Sequence, residues 1–306
     1  MNDRYLGLDL GGTNIKVAVI EDVGGEVPEI LYDSKVRTGA AHGPEHVRDR
    51  LINVGRETAD EFGPFVGVGL GVPGLFDPEG GTIELFPNLP GPWKGFSLRD
   101  EVAAGIGVQT AMINDARAFT LAEGTVGAGK GARIMLGITL GTGIGGGIMM
   151  NGRIHTGSFG IAGEFGHQTV EPYGPSCGCG NRGCLESMAK GSAIARAAGV
   201  KNAEAAYAAA KAGDPAALKA THDASFYMAI GISNAVTLIG LDTVVLGGGI
   251  MSAGDLVLDP LRAAVRERVT LVPVDELRIV KAALGGKAGA IGAALAGKAQ
   301  EETLAL

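Results

Sequence analysis

Aromatic side chains are scarce, 5 % of the 306 residues with a single tryptophan among them, and single-stranded nucleic acid is held largely by bases stacked on such rings. Positive charge is short as well. Lysine and arginine number 26 against 33 aspartates and glutamates, a net charge of −7, which argues against a phosphate backbone as partner. Long apolar runs are missing: the longest, Ala229 to Met251, is broken by Asn234, Gly240, Asp242 and Gly247. It reads as a buried helix, a turn and a buried strand, and no membrane span is expected. Met1-Asn2-Asp3-Arg4-Tyr5 enters a strand pattern with neither a basic n-region nor an apolar h-region, so a cytoplasmic protein is expected rather than a secreted one. A Gly-Lys-Ser/Thr sequence is absent, which excludes P-loop nucleotide binding. Cysteine is confined to Cys177, Cys179 and Cys184, and in a reducing compartment such crowding suggests a metal site before disulfides.

Glycine, by contrast, is abundant: 52 residues against a usual share of about 7 %, with no collagen-like period. The fold must need positive φ or close backbone approach at many points. The length favours two lobes over one. Leu6–Leu10 and Ile15–Ile20 read as strands joined by the turn Gly11-Gly12-Thr13-Asn14. Val47, Leu51, Val54, Thr58 and Phe62 form a helical stripe within 45–62, and Phe65 to Val72 reads as a buried strand. Ser97 with Asp100 three residues on marks a helix start, and a strand from Val108 to Ile113 ends at Asn114-Asp115, where the first lobe is expected to close. A second apolar run split by glycines covers 134–150, the longest helix is expected over Pro215 to Gly240, and a strand over Thr243–Leu246.

Leu8-Asp9-Leu10-Gly11-Gly12-Thr13 and Ile138-Thr139-Leu140-Gly141-Thr142-Gly143 share an apolar residue, a polar one, Leu-Gly and two small residues. Each turn sets small residues at a strand end, so that backbone N–H groups can converge on an oxyanion, and the natural ligand is a polyphosphate. A tight hairpin without ligand would explain either turn alone; two such turns, one per half, favour a common ligand. Gly141 to Gly146 also matches G-x-G-x-x-G, but a dinucleotide fingerprint opens a helix. Here a strand closed by the turn Asn151-Gly152 follows, which disfavours a dehydrogenase.

Cys177, Cys179 and Cys184, spaced C-x-C-x₄-C, with His167 ten residues upstream, suit tetrahedral zinc, with reduced or redox-active thiols as the alternative. Four protein ligands would leave no place for water, so the metal would be structural. Asp115, where a strand gives way to a helix, is placed equally well to cap the helix or to act on a ligand.

Asp9-Leu10-Gly11-Gly12-Thr13-Asn14-Ile15-Lys16, Asn114-Asp115-Ala116, Leu140 to Gly147, Gly163-Glu164-Phe165-Gly166-His167, Cys177 to Glu186 and Leu284 to Ala290, in this order, resemble the ROK family of sugar kinases and repressors. The resemblance implies an α/β, two-lobed actin-like fold of the hexokinase/RNase H-like kind, with duplicated lobes around an ATP/sugar cleft. Residues 1–114 plus 286–306 would form the small lobe for sugar and phosphate. Residues 115–285 would form the large lobe, with nucleotide, zinc and dimer interface. It implies Asp115 as general base, and Gly71, Asn88, Asn114, Glu164, His167 and Glu186 beside it on the sugar. Asp9, Gly11, Gly12, Thr13, Asn14, Lys16, Thr139, Gly141, Thr142, Gly143, Gly145, Gly247, Gly248 and Gly249 would bind ATP, with Asp9 holding Mg²⁺ through water. Pro92, within Gly91–Gly95, departs from the family's usual Gly-Trp, and Arg117 stands where the family usually has Asn.

The activity implied is ATP-dependent phosphorylation of the 6-hydroxyl of a hexose, glucose first, with N-acetylglucosamine, N-acetylmannosamine, mannose and fructose as alternatives. A homodimer or dimer of dimers is expected. A sugar-sensing repressor of the same family is disfavoured, because Asp9 stands too near the start for a preceding helix-turn-helix and the net charge is negative.

Overall fold

β1 (Arg4–Leu10) sends Leu6, Leu8 and Leu10 to one face and Gly7 and Asp9 to the other. In the computed structural model, which describes residues 2–25 and 27–304, the chain divides into two compact units. One comprises Met1–Val126 with Gly286–Leu306, the other Gly127–Gly285. Met1, Glu26, Ala305 and Leu306, expected in the first lobe, lie outside the described residues.

In the first unit β1 is followed by β2 (Asn14–Glu21), β3 (Glu29–Arg37), α1 (Pro44–Phe62), β4 (Gly67–Val72), the small hairpin β5 (Leu75–Phe76) and β6 (Ile83–Leu85), α2 (Leu98–Ile106), β7 (Thr110–Asn114) and α3 (Asp115–Thr125). The five-stranded sheet runs β3-β2-β1-β4-β7, antiparallel across its first three strands and parallel across β1, β4 and β7.

The second unit repeats the plan. β8 (Ile134–Leu140), β9 (Ile144–Met150) and β10 (Arg153–His155) are antiparallel neighbours. α4 (Leu185–Ala189), α5 (Gly191–Ala198), α6 (Ala203–Lys211) and α7 (Pro215–Ile239) lead to β11 (Thr243–Gly247), α8 (Asp255–Arg266) and β12 (Arg278–Lys281). The order β10-β9-β8-β11-β12 matches that of the first sheet strand for strand, including the parallel pairing of β11 with β8 and β12. The two similar glycine turns occupy the same place in both sheets, between the first and second strands. The chain then returns to the first unit as α9 (Ala288–Leu304).

The alternation in β1 and β4 explains how α9 seats. Leu6, Leu8, Leu10, Val68, Leu70 and Val72 join Val47, Leu51 and Val54 of α1 in one core, each full burial contributing about 1.5–3 kcal/mol. The opposite face carries glycine because the helix backbone lies on it. A Cβ at Gly69 would stand 1.6 Å from the Ala293 carbonyl oxygen, and one at Gly7 1.9 Å from that of Ala290.

α7 spans the expected stretch, with Asp214 accepting the Ala217 N–H at 2.8 Å and Gly240 (φ 63°) ending it. The turn Asn151-Gly152, with φ of 51° and 81°, joins β9 to β10 as expected of this hairpin type.

Several expectations shift. β4 begins at Gly67, leaving Phe65 and Val66 outside the ladder, and β7 covers Thr110–Asn114 rather than Val108 to Ile113. Ser97 is the N-cap of α2, but its side chain makes no capping hydrogen bond. The expected lobe boundary after Asn114 lies instead after Val126, because α3 packs on α9 and so stays with the first unit.

Candidate functional site

The turn between β1 and β2 is closed from within by the Gly11 N–H on the Asn14 carbonyl at 3.0 Å. Gly12 and Thr13 are exposed at its tip. Asp9 and Lys16 face each other across the hairpin, and Lys16 Nζ donates to Asp9 Oδ2 at 3.0 Å. The carboxylate is thereby buried with its own cation, as a buried charge requires. Gly71 is buried directly beside it, 3.5 Å separating a Cβ there from Asp9 Oδ1. Asn88, in the turn after β6, is exposed and brings its carbonyl oxygen to 2.9 Å from where a Cβ on Gly12 would stand. The loop containing Pro92 is held by Trp93, whose indole Nε1 donates to Pro90 O at 3.1 Å and whose ring meets Phe86 at 4.9 Å.

The capping role that position alone allowed Asp115 falls to Asn114. Asn114 Oδ1 accepts the N–H groups of Ala116 at 3.0 Å and Arg117 at 3.3 Å, and its Nδ2 donates to Gly74 O at 3.2 Å. Asp115 is therefore the first residue of α3. Its carboxylate is exposed at the C-terminal end of β7, with Oδ1 accepting the Ala116 N–H at 2.8 Å. An anionic oxygen is steadied there at a helix N-terminus, where open α/β sheets place ligand groups.

In the second unit, the Gly141 N–H donates to Gly143 O at 3.0 Å to close the corresponding turn. Thr142 is exposed at its tip. Thr139 pairs with Gly145 on one side and Gly247 on the other, so three residues expected at the nucleotide form one row across β9, β8 and β11. Gly248 (φ 90°) lies on the backbone of Leu140, which leaves no space for a side chain.

Glu186, in α4, is half-buried rather than solvated. Its Oε2 accepts the Ile144 N–H at 3.1 Å, and its Oε1 lies 3.6 Å from Lys190 Nζ. The Gly191 N–H donates to Gly141 O at 3.0 Å, so the α4–α5 segment grips the second turn from behind. The segment carrying Glu164 and His167 lies on the same strand: Cβ atoms at Gly166 and Gly146 would meet Ile144 O at 2.1 Å and Gly163 O at 2.6 Å.

Ligand atoms of His167, Cys177, Cys179 and Cys184 all lie within 4.8 Å of one another. His167 Nδ1 is 3.6 Å from Cys177 Sγ, and the Cys179 and Cys184 sulfurs are 3.6 Å apart. A tetrahedral zinc with Zn–S bonds of about 2.3 Å has sulfur–sulfur edges of about 3.8 Å, so the cluster fits this metal. Gly180 (φ 93°) turns the chain between the first two cysteines and the third. Burial pushes the Cys184 thiol up to about 12, and the neighbouring thiols add to it. The Asn181 backbone N–H draws the Cys179 thiol down. As thiolates, three sulfurs this close would need a bound cation between them.

Sequence reasoning missed two features of these sites. Lys190 carries no motif of its own, and the buried Thr38, just beyond β3, holds the first turn through hydrogen bonds that only the folded chain reveals.

The sequence model described as the ROK family matches residues 5–300. A glucokinase of Thermotoga maritima is 35 % identical over 311 residues, covering 95 % of this chain and 96 % of that protein. The crystal structure of a ROK hexokinase from Thermus thermophilus aligns with a TM-score of 0.86 at 33 % identity, over 98 % of this chain and 99 % of that one. A ROK family glucokinase from Streptomyces griseus, solved with glucose and AMPPNP, aligns with a TM-score of 0.78 at 32 % identity, over 97 % and 99 %. The duplicated five-stranded sheets are thus those of the actin-like sugar-kinase fold.

Proposed function

The chain belongs to the ROK family, and on that premise we propose that it transfers the γ-phosphoryl group of ATP to the 6-hydroxyl of a hexose, with glucose as the substrate. The observation that carries this reading is the division of labour at the β7–α3 junction. Asn114 does the capping, and the Asp115 carboxylate is left exposed at the strand end.

In this reading Asp115 takes the proton from the attacking hydroxyl, which raises the oxygen's nucleophilicity as it meets the phosphorus. Gly71, Asn88, Asn114, Glu164, His167 and Glu186 contribute to holding the ring hydroxyls. A sugar lacking one of them leaves a polar group unpaired and is rejected. Backbone N–H groups of Gly12–Asn14 and of Thr142 and Gly143 receive the phosphates, Gly11 and Gly141 shape the turns with their own N–H groups, and Thr139, Gly145 and Gly247–Gly249 lie beside the remainder of the nucleotide. Lys16 offsets phosphate charge. Mg²⁺, when bound, neutralises the phosphates, and the Asp9 carboxylate would hold it through water.

Zinc would be held by His167, Cys177, Cys179 and Cys184 and would be structural, because four protein ligands complete its tetrahedron. With Nδ1 turned to the sulfurs, the Nε2 of His167 is the ring nitrogen available to a sugar hydroxyl. Assembly as a homodimer or dimer of dimers and a cytoplasmic location belong to the same proposal.

ADP release measured with glucose, mannose, fructose, N-acetylglucosamine and N-acetylmannosamine tests the reading. Glucose-dependent release is expected. Faster turnover of an N-acetylhexosamine would displace glucose, and hexose binding without ADP release from any sugar would sink the kinase assignment.

A further inference from the structure

A phosphate cradle made of backbone works only if its peptides present N–H groups, and a peptide between two glycines is the easiest to turn over. Gly11-Gly12 is such a peptide. Its orientation is set from outside the turn by Thr38, which directly follows β3 and has no solvent exposure. Thr38 Oγ1 donates to Gly11 O at 2.6 Å, and the Thr38 N–H donates to Thr13 O at 3.1 Å. One residue thus engages carbonyl groups on both sides of Gly12.

The consequence follows from peptide geometry. In a planar trans peptide the C=O and the following N–H point in opposite directions, and no cis peptide occurs among the described residues. A Gly11 carbonyl turned to the Thr38 hydroxyl directs the Gly12 N–H away from it, and Gly12 is exposed. Were the peptide to flip, a carbonyl dipole would face the incoming phosphate and repel it.

We propose that Thr38 is a positioning residue for the phosphoryl donor: it fixes the Gly11-Gly12 peptide so that the Gly12 N–H meets a phosphate oxygen. The inference rests on reading the Gly11–Asn14 turn as a phosphate cradle. Thr38 touches no substrate in this account and acts only through the turn. Valine matches threonine in shape but lacks the hydroxyl, whereas serine keeps it.

Calorimetric titration of the full chain with MgATP, and separately with glucose, tests the proposal in the wild type, Thr38→Val and Thr38→Ser. Thr38→Val is expected to weaken MgATP binding about tenfold, one hydrogen bond's worth of orientation, with glucose affinity and melting temperature little changed. Thr38→Ser is expected to stay within about twofold of the wild type on both ligands. Unchanged MgATP affinity in Thr38→Val would overturn the proposal, as would equal losses for glucose and MgATP. Wild-type protein that binds MgATP but releases no ADP with any hexose would defeat the kinase reading and leave this test standing. Wild-type protein that does not bind MgATP would defeat both.

Discussion

Gly289, on the first turn of α9, leaves no room for a side chain beside Asp9: a Cβ there would stand 2.3 Å from Asp9 Oδ2 and 2.7 Å from the carboxylate carbon. The glycine keeps the carboxylate where Lys16 meets it at 3.0 Å, next to the N-terminus of a helix that favours negative charge.

Gly289→Ala should therefore act on the site more than on the fold. Alanine is the better helix former by about 1 kcal/mol, which offsets part of the overlap, while the displaced carboxylate loses its place beside the first turn. The expected outcome is a fall in kcat of about tenfold or more, about 1.4 kcal/mol of transition-state stabilisation, with a higher Mg²⁺ requirement and a melting temperature near that of the wild type. Kinetics as a function of Mg²⁺ concentration, with a parallel thermal melt, check it.

Asp115→Asn keeps the shape and the Ala116 N–H acceptor while removing the proposed base. Turnover should fall by about 10²–10⁴, the usual worth of a general base, with hexose affinity within a few-fold of the wild type. Stopped-flow or coupled ADP assays, beside a direct sugar titration, measure the two quantities. High residual turnover would remove Asp115 from the chemistry.

Much of this arrangement is legible in the amino-acid sequence where the signal is local. The glycine turns, the Asn151-Gly152 hairpin and the α7 limits at Asp214 and Gly240 rest on residues that set their own backbone geometry. The four candidate metal ligands, within eighteen residues of one another, are local in the same sense. What is not legible is decided by distant packing. The glycines of β1 and β4 read only as parts of apolar strands until α9, more than two hundred residues later, lies on them. Likewise the bond from Ile144 N–H to Glu186 joins residues whose nearness depends on how α4 seats. β3 is not legible because Ile30, Leu31 and Tyr32 stand side by side, with an irregular register at Leu31, and so break the alternation that marks a strand, at a sheet edge with little burial. The choice between Asn114 and Asp115 as helix cap turned on a single residue, which is finer than propensity resolves.

Metal analysis of protein purified without chelator should find about one zinc per chain. Chelator treatment, or Cys184→Ser at the buried ligand, should lower the melting temperature and weaken hexose binding before nucleotide binding, since His167 belongs to the cluster and Glu186 follows Cys184 closely. Metal-free protein that melts like the wild type and turns over normally would contradict the structural-zinc reading.

Tyr207 gives the second unit an alkaline limit. Burial alone pushes its hydroxyl up to about 12, against about 10 in the unfolded chain. The neutral phenol thus contributes stability that is complete below about pH 10 and is lost as pH rises toward about 12, in total about 2–3 kcal/mol. Tyr207→Phe has no such proton to lose. Denaturant melts between about pH 9 and about pH 11.5 should show a steeper decline for the wild type than for the variant, and parallel declines would refute this assignment.

Product identification tests the central claim most directly. Incubation with glucose and MgATP, followed by phosphorus NMR of the mixture, should show ADP and glucose 6-phosphate accumulating in equal amounts. ADP with free phosphate and no sugar phosphate, or phosphate on any other hydroxyl, would contradict the account.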